Sequence, residues 1–266
     1  TMIVDGRGIA NEIYQGIKNT ITHMDVTPHL TVFTCAPNFE TQKFLALKRK
    51  KAQLVGIGVN VIEFPEDIST EDVIQSVLHA AIQTDGIIVQ LPFPEHIDID
   101  AVLANIPANL DVDVMNYDGT DVEILPPVVG AVRAIAEQFD ILFAATKVVI
   151  VGEGRLVGKP AALWARKMGA QVEVVTKETS DAAEKIKSAN IIISGAGQPG
   201  LLTPEGIADN VLIFDAGTSE DGGELVGDAH PSCTDKAALF TPVPGGIGPI
   251  TIAILLKNLV SLAQNR

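Results

Sequence analysis

Short apolar runs recur along the chain, separated by longer stretches in which apolar positions return at helical spacing. In the first half the runs are Leu30-Thr31-Val32-Phe33-Thr34, Val59 to Phe64 and Gly86-Ile87-Ile88-Val89-Gln90. In the second half they are Lys147 to Val151, Gln171 to Val175, Asn190 to Ser194, Val211 to Asp215 and Leu239 to Val243. Such runs, rich in β-branched residues and bounded by turn formers, predict strands, and the helical stretches between them predict β-α-β units with parallel pairing. The rhythm breaks between 110 and 130, where Asp111, Asp113, Asp118, Gly119, Asp121, Pro126 and Pro127 favour loops. The pattern therefore predicts α/β architecture with two parallel sheets. A last apolar helix, roughly Thr251 to Leu262, is predicted after a loop rich in proline and glycine.

Composition narrows the class. The 266 residues are 47% hydrophobic, enough for two domains of about 100–150 residues. Only 5% are aromatic, which suits aliphatic strands covered by helices on both faces. The formal net charge of -14 argues against nucleic acid as a partner, because neutralising phosphates needs a basic surface. Cys35 and Cys233 have no metal-ligand spacing and read as two ordinary thiols, with no metal and no disulfide expected. The stretch Thr1 to Gly6 lacks the basic-then-apolar pattern of a secretory signal, and no uninterrupted run of 18 apolar residues is present. A cytoplasmic protein with no membrane partner is the expectation.

The strand Lys147 to Val151 runs into Gly152-Glu153-Gly154-Arg155-Leu156-Val157-Gly158-Lys159-Pro160, and a helix follows. A glycine turn between strand and helix lets the backbone approach a pyrophosphate at the helix start. The spacing is G-x-G-x-x-x-G, one residue longer than the common fingerprint, and glycine turns also arise for purely geometric reasons. The β-α-β context on both sides favours a dinucleotide. At the end of the next strand, where an acid holding a ribose hydroxyl would select NAD, stand Thr176 and Lys177, with Glu178 beyond. Lys177 and Arg155 suit a 2′-phosphate and Glu153 opposes one, so the balance leans to NADP with NAD still open; all four are alternatively solvated loop charges.

The stretch Thr41 to Val55 places Phe44, Leu45, Ala52 and Val55 within one helical arc, and Lys48 projects from its middle. A lysine aimed into apolar surface is desolvated, which lowers its pKa toward acid–base chemistry. Geometry alone favours the alternative, a lysine whose stem covers apolar surface while its head reaches water. Lys43, Lys48, Arg49, Lys50 and Lys51 also form a basic cluster, which attracts a polyanion or is simply a solvated helix face.

Several stretches coincide with one family. Thr41 to Lys50 resembles its S-x-x-Y-x-x-x-K-x-K helix, Val89-Gln90-Leu91-Pro92-Phe93-Pro94 its V-Q-L-P-L-P strand end, and Asp111-Val112-Asp113 the core of its K-D-V-D-G-F motif. Val151 to Pro160 resembles its V-G-R-S-x-x-V-G-x-P loop, and Thr241 to Thr251 its T-P-V-P-G-G-V-G-P-M-T loop. Motif order and spacing agree over nearly the whole chain, and the family is that of the bifunctional methylenetetrahydrofolate dehydrogenase/cyclohydrolases.

The resemblance implies two α/β domains with a cleft between them: a folate-binding catalytic domain over 1–120, completed by the C-terminal helix 251–266, and a Rossmann NAD(P)-binding domain over 121–250. It implies oxidation of 5,10-methylenetetrahydrofolate and hydrolysis of the methenyl product to 10-formyltetrahydrofolate, a reaction feeding purine biosynthesis, in a homodimer. Lys48 would be the general acid/base, Gln90 would orient its ammonium, and Asp113 would bind the amino-pyrimidine edge of the pterin. Phe44 would stack on the pterin, while Pro244, Gly245, Gly246, Pro249 and Thr251 would line the folate site. Gly152, Gly154, Arg155, Val157, Gly158 and Lys177 would hold NADP. Turn and cap roles stay open for Asp113 and for the Gly245-Gly246 loop. The chain departs from the family at Phe44, where the family has Tyr, at Val114-Met115 for Gly-Phe, at Glu153-Gly154 for Arg-Ser, and at Leu125 to Gly130 for P-C-T-P-x-G. Three rivals stay open: a dehydrogenase with little cyclohydrolase activity, a shikimate-type dehydrogenase, which would not need the P-G-G-x-G-P loop, and, from the altered cofactor loop, a non-catalytic folate- or nucleotide-binding regulator.

Overall fold

The computed structural model describes residues 1–265, except for the side chains of Phe39 and Glu40. The chain runs through β1 (Met2–Ile3), α1 (Gly6–Ile21), β2 (His29–Cys35), α2 (Phe39–Val55), β3 (Gly58–Phe64), α3 (Thr70–Ala80), β4 (Gly86–Val89) and α4 (Ile99–Ala104). After an irregular stretch follow α5 (Pro127–Gln138), β5 (Lys147–Val151), α6 (Gly158–Lys167), β6 (Gln171–Val175), α7 (Ala182–Lys187), β7 (Ile191–Ser194) and β8 (Leu212–Asp215). The last elements are β9 (Ser219–Asp221), β10 (Glu224–Val226), β11 (Leu239–Phe240) and α8 (Ile247–Gln264). Each apolar run named above lies in a strand, although the last stops at Phe240, before Pro242, whose nitrogen has no proton for a ladder.

The chain divides into two compact units. One holds Asn11 to Asn116 and the chain from Ile252 on. Its sheet has three parallel strands in the order β3-β2-β4. Phe33 and Phe64 stack at 5.7 Å on one face, with Val73 and Val77 of α3 and Val102 and Leu103 of α4 buried around them. On β4, a Cβ at Gly86 would lie 2.5 Å from Leu259 and 2.6 Å from Val112, so the bare glycine admits both α8 and the segment after α4. Helix α8 begins at Ile247, earlier than the expected Thr251, with Pro249 in its first turn, where a missing N–H costs nothing. By length and composition alone α8 is apolar enough to cross a membrane, although polar residues such as Lys257 and Asn258 interrupt its apolar run. Its Ala253, Leu255, Leu256, Leu259 and Val260 are buried in the protein core instead.

The other unit holds Thr1 to Ala10 and Tyr117 to Thr251. Its six-stranded sheet has the order β1-β11-β8-β7-β5-β6, parallel throughout. Val148, Val149 and Ile150 of β5 and Ile191, Ile192 and Ile193 of β7 are fully buried, the continuous apolar strands of a sheet covered on both faces. The order β6-β5-β7-β8 reverses direction between β5 and β7, and ligands of open α/β sheets bind outside the strand ends at such a reversal. Residues Thr1 to Ala10, expected in the first domain, fall in this unit because β1 pairs with β11 at the sheet edge, Met2 opposite Leu239 and Ile3 opposite Phe240. The β9–β10 hairpin was also not predicted.

Candidate active site

Helix α2 starts at Asn38, whose side chain accepts from the Thr41 amide, and ends at Gly56 in the left-handed conformation. Its buried face carries Thr41, Leu45, Ala52 and Val55, with Lys48 half-buried at the centre of that stripe. Phe44 sits at the margin instead, its residue 43% exposed, so its ring is open to a ligand rather than sunk in the core. Lys48 does not snorkel. Its Nζ donates to Gln90 Oε1 at 2.8 Å, just past the end of β4. Gln90 is itself oriented, because its amide nitrogen donates to the Leu91 carbonyl at 3.1 Å and leaves the oxygen to face the lysine. Loss of hydration holds the Lys48 pKa below the ordinary lysine range, against the opposing attraction of Asp113. Burial likewise raises the Asp113 carboxyl, and Lys48 opposes that shift. The structure thus brings Lys48, Gln90 and Asp113 together, with Lys51 further along α2 lying 5.1 Å over the Tyr14 ring.

Asp113 reaches this position from a tight turn. The Asp111 carbonyl accepts from the Val114 amide at 3.3 Å, and Asp111 Oδ2 accepts from the Met115 amide at 2.8 Å. Val114 adopts φ 52°, a left-handed conformation that strains a β-branched residue. The Val112 carbonyl, next to Asp113, accepts from the buried Asn258 amide of α8 at 3.0 Å. Burial, with the like charge of Asp113, pushes the Asp111 carboxyl up to about 6. Its Oδ1 has no hydrogen-bond partner among the described residues. Neither Asp111 nor Asn258 was singled out from the sequence for a role at the site. The available signal for Asn258 was an amide interrupting the apolar face of a helix.

In the other unit the glycine loop lies at the sheet reversal. A Cβ at Gly152 (φ 92°) would lie 3.0 Å from the Gly195 carbonyl oxygen, and one at Gly158 would lie 2.1 Å from that of Gly152. Gly195 in turn packs against Val157, while nothing stands within 4 Å of a Cβ built on Gly154. Bare backbone at the start of α6, tight underneath and open at Gly154, fits the pyrophosphate of a dinucleotide. Arg155 is exposed on the same loop, as is Glu153. Lys177 is solvated and lies 3.7 Å from Glu178, whose carboxylate also accepts from the Thr176 hydroxyl at 2.7 Å.

Two buried carboxylates brace the neighbouring strand ends. Asp228 accepts from the Ser194 hydroxyl at 2.6 Å, the Ala196 amide at 2.8 Å and the Gln198 amide at 2.7 Å. Asp215 accepts from the amides of Gly217, Asp228 and Ala229, and burial pushes its carboxyl up to about 6. Sequence reasoning did not single these out; the signal was an acid ending an apolar strand and an acid after a glycine. Before α8, Pro244 is exposed after a cis bond, and Gly245 needs its bare backbone at φ 108°. A Cβ at Gly246 would lie 2.6 Å from the Pro242 carbonyl oxygen. Pro249 is half-buried, and the Thr251 hydroxyl turns back to the Ile247 carbonyl at 3.1 Å.

Comparison with known proteins also divides the chain in two, by continuous segments that differ from the two units at 4–10 and 252–266. Residues 4–113 match the model of the tetrahydrofolate dehydrogenase/cyclohydrolase catalytic domain, and residues 126–266 that of the tetrahydrofolate dehydrogenase/cyclohydrolase NAD(P)-binding domain. The bifunctional protein FolD of Nautilia profundicola is 33% identical, covering 99% of this chain and 97% of its own. The crystal structure of the Campylobacter jejuni FolD dehydrogenase/cyclohydrolase superposes with a TM-score of 0.95 at 29% identity, covering 100% of this chain and 99% of that one. That of the Trypanosoma brucei enzyme, complexed with NADP cofactor and inhibitor, gives 0.90 at 29% identity, covering 100% and 98%.

Proposed function

Because the chain belongs to the tetrahydrofolate dehydrogenase/cyclohydrolase family, we propose that it oxidises 5,10-methylenetetrahydrofolate and hydrolyses the 5,10-methenyl product to 10-formyltetrahydrofolate. The observation that carries this reading is the 2.8 Å bond from Lys48 to Gln90 beside Asp113. Three polar groups converge there, one from a helix, one from a strand end and one from a turn. The exposed Phe44 ring is the stacking surface for the pterin, and the Asp113 carboxylate pairs with its amino-pyrimidine edge.

The dinucleotide, when bound, supplies the hydride acceptor. Gly152, Gly154, Val157 and Gly158 receive its pyrophosphate on bare backbone, and Arg155 and Lys177 favour the 2′-phosphate of NADP. The NADP-bound trypanosomal relative supports that choice, while Glu153 and Glu178 oppose it. In hydrolysis, water adds to the methenyl carbon and passes a proton to neutral Lys48. The resulting ammonium, held by Gln90, returns a proton to N5 as the carbon–N5 bond breaks, and the hydroxyl proton leaves to solvent as the formyl carbonyl forms. The depressed Lys48 pKa supports this role, because the group must gain and lose a proton near neutrality. A homodimer in the cytoplasm is proposed on the family resemblance alone.

Lys48→Met tests the site. Methionine keeps the apolar stem and removes the amine. Methenyl hydrolysis, followed by loss of methenyl absorbance, is expected to fall to the uncatalysed rate with the unfolding midpoint nearly unchanged. Hydrolysis at the parental rate would remove Lys48 from the mechanism. Running methylenetetrahydrofolate oxidation with NADP and with NAD in the same assay tests the cofactor, for which NADP is expected to be preferred.

A further inference from the structure

We infer that Asn258 is a positioning residue for Asp113: its amide, reaching from α8 to the Val112 carbonyl, pins the strained turn that presents the carboxylate to Lys48. The inference rests on the proposed role of Lys48 and Asp113 and adds a residue to it.

Three observations carry it. First, Asn258 is buried, at 3% exposure, on a helix face otherwise made of aliphatic side chains. An amide in such a place is costly unless it is hydrogen-bonded, and its 3.0 Å bond goes to the peptide carbonyl adjoining Asp113. Second, the turn it grips does not rest in a preferred conformation. Val114 sits at φ 52°, and a β-branched residue holds that geometry only where surrounding contacts over-determine it. Asp111 supplies part of that constraint from within the turn, through its bonds with the amides of Val114 and Met115. From outside, the bridge between Asp111 and Ile87 of β4 holds the start of the turn, and Asn258 holds the carbonyl next to Asp113. Third, the carboxylate so placed acts on Lys48 through charge, since it is the group whose attraction opposes the desolvation of the amine. Releasing the turn lets Val114 relax toward negative φ, swings Asp113 away and leaves Lys48 facing Gln90 alone.

The decisive comparison is Asn258→Leu, which keeps the volume and apolar fit of α8 and removes the donor. Methenyl hydrolysis should fall by about tenfold or more, as expected when a reacting group is displaced without being removed. The pH–rate profile should also move. With Asp113 displaced, Lys48 loses the attraction that favours its charged form, so the limb governed by the amine shifts to lower pH. A role confined to stability would lower the unfolding midpoint and leave that limb in place. Asn258→Ser, whose hydroxyl is too short to bridge, serves if the leucine variant does not fold, and the same shift is expected. Adding Val114→Gly to either variant should recover part of the lost rate, because glycine adopts the turn conformation without the strain that the clamp opposes. An unmoved profile with an unchanged rate overturns the inference. If Lys48→Met is inactive in that same assay, the failure belongs to Asn258 alone; if Lys48→Met remains active, it is the reading of the site that fails.

Discussion

Val114 occupies a left-handed position where the family motif offers glycine, so the turn beside Asp113 carries strain that a different side chain would not. A left-handed β-branched residue costs about 1–2 kcal/mol, and the greater freedom of unfolded glycine takes back roughly 0.5–1 kcal/mol. Val114→Gly should therefore stabilise the protein by about 0.5–1 kcal/mol in urea unfolding. A loss of stability would show that packing of the valine side chain outweighs its backbone. Phe44 is another residue at which the chain departs from the family beside the site. Its ring lies one helical turn before Lys48, in position to stack but without a hydroxyl to orient water or the amine. One missing hydrogen bond of about 0.5–1.5 kcal/mol should slow hydrolysis several-fold while sparing hydride transfer, which depends on placing two rings. The parent enzyme is then expected to release methenyl intermediate during turnover, and Phe44→Tyr to release less. Equal ratios of methenyl absorbance to reduced dinucleotide in the two proteins would reduce Phe44 to a stacking surface.

The loop from Asp111 to Met115 shows how a titrating group couples to its surroundings. The Asp111 pKa of about 6 lies above the value of an unfolded aspartate. The folded state therefore holds the proton between roughly pH 4 and pH 6, and this group's contribution to stability grows as pH falls through that window. At neutral pH its ionised form is a net cost. Asp111→Asn keeps the acceptor for the Met115 amide and places an NH2 where Oδ1 has no partner among the described residues. The variant should be more stable than the parent near neutrality, and the gap should narrow by about 1 kcal/mol between about pH 7.5 and about pH 5. A gap independent of pH would show that Asp111 does not titrate there. Elements such as this loop divide what was legible in the chain from what was not. The strands of both sheets were legible because runs such as Ile191-Ile192-Ile193 are short, β-branched and bounded by turn formers, which favours a covered parallel strand over a buried helix. Lys48 was visible as an anomaly on an apolar face, but periodicity alone favoured snorkelling, since nothing local reveals that Gln90 lies 2.8 Å away. Two-residue β1 carries too little pattern to register, and its pairing with β11 depends on residues more than two hundred positions away.

Long sequence separation is also what hid Asn258, whose partner Val112 lies 146 residues earlier. The family motifs located the loops and Lys48, yet only the folded chain shows that a helix beyond the second sheet closes the core of the first unit. The Ala10–Asn11, Asn116–Tyr117 and Thr251–Ile252 boundaries show the chain passing between its two units more than once, so neither unit is a simple segment. That threading has a consequence for the protein as it is being made. When the ribosome has translated Val112, the strand that leads into Gln90 and the helix bearing Lys48 have been synthesised, but Leu259, which seals Gly86, and Asn258 have not. They arrive only after the entire nucleotide-binding sheet has been synthesised. At a rate on the order of 5–20 residues per second, the earlier half waits for roughly seven to thirty seconds without the helix that packs Leu259 against Gly86. Nascent chains stalled just after residue 250 should be cut readily by protease within 11–116, and chains stalled in an added C-terminal linker, with α8 clear of the exit tunnel, should resist. Equal resistance in both would mean that the first half needs no late-arriving helix. If the difference holds, translation itself acts as a timer: the part of the enzyme made first is the part finished last, and folate chemistry is withheld until the dinucleotide unit has been written in full.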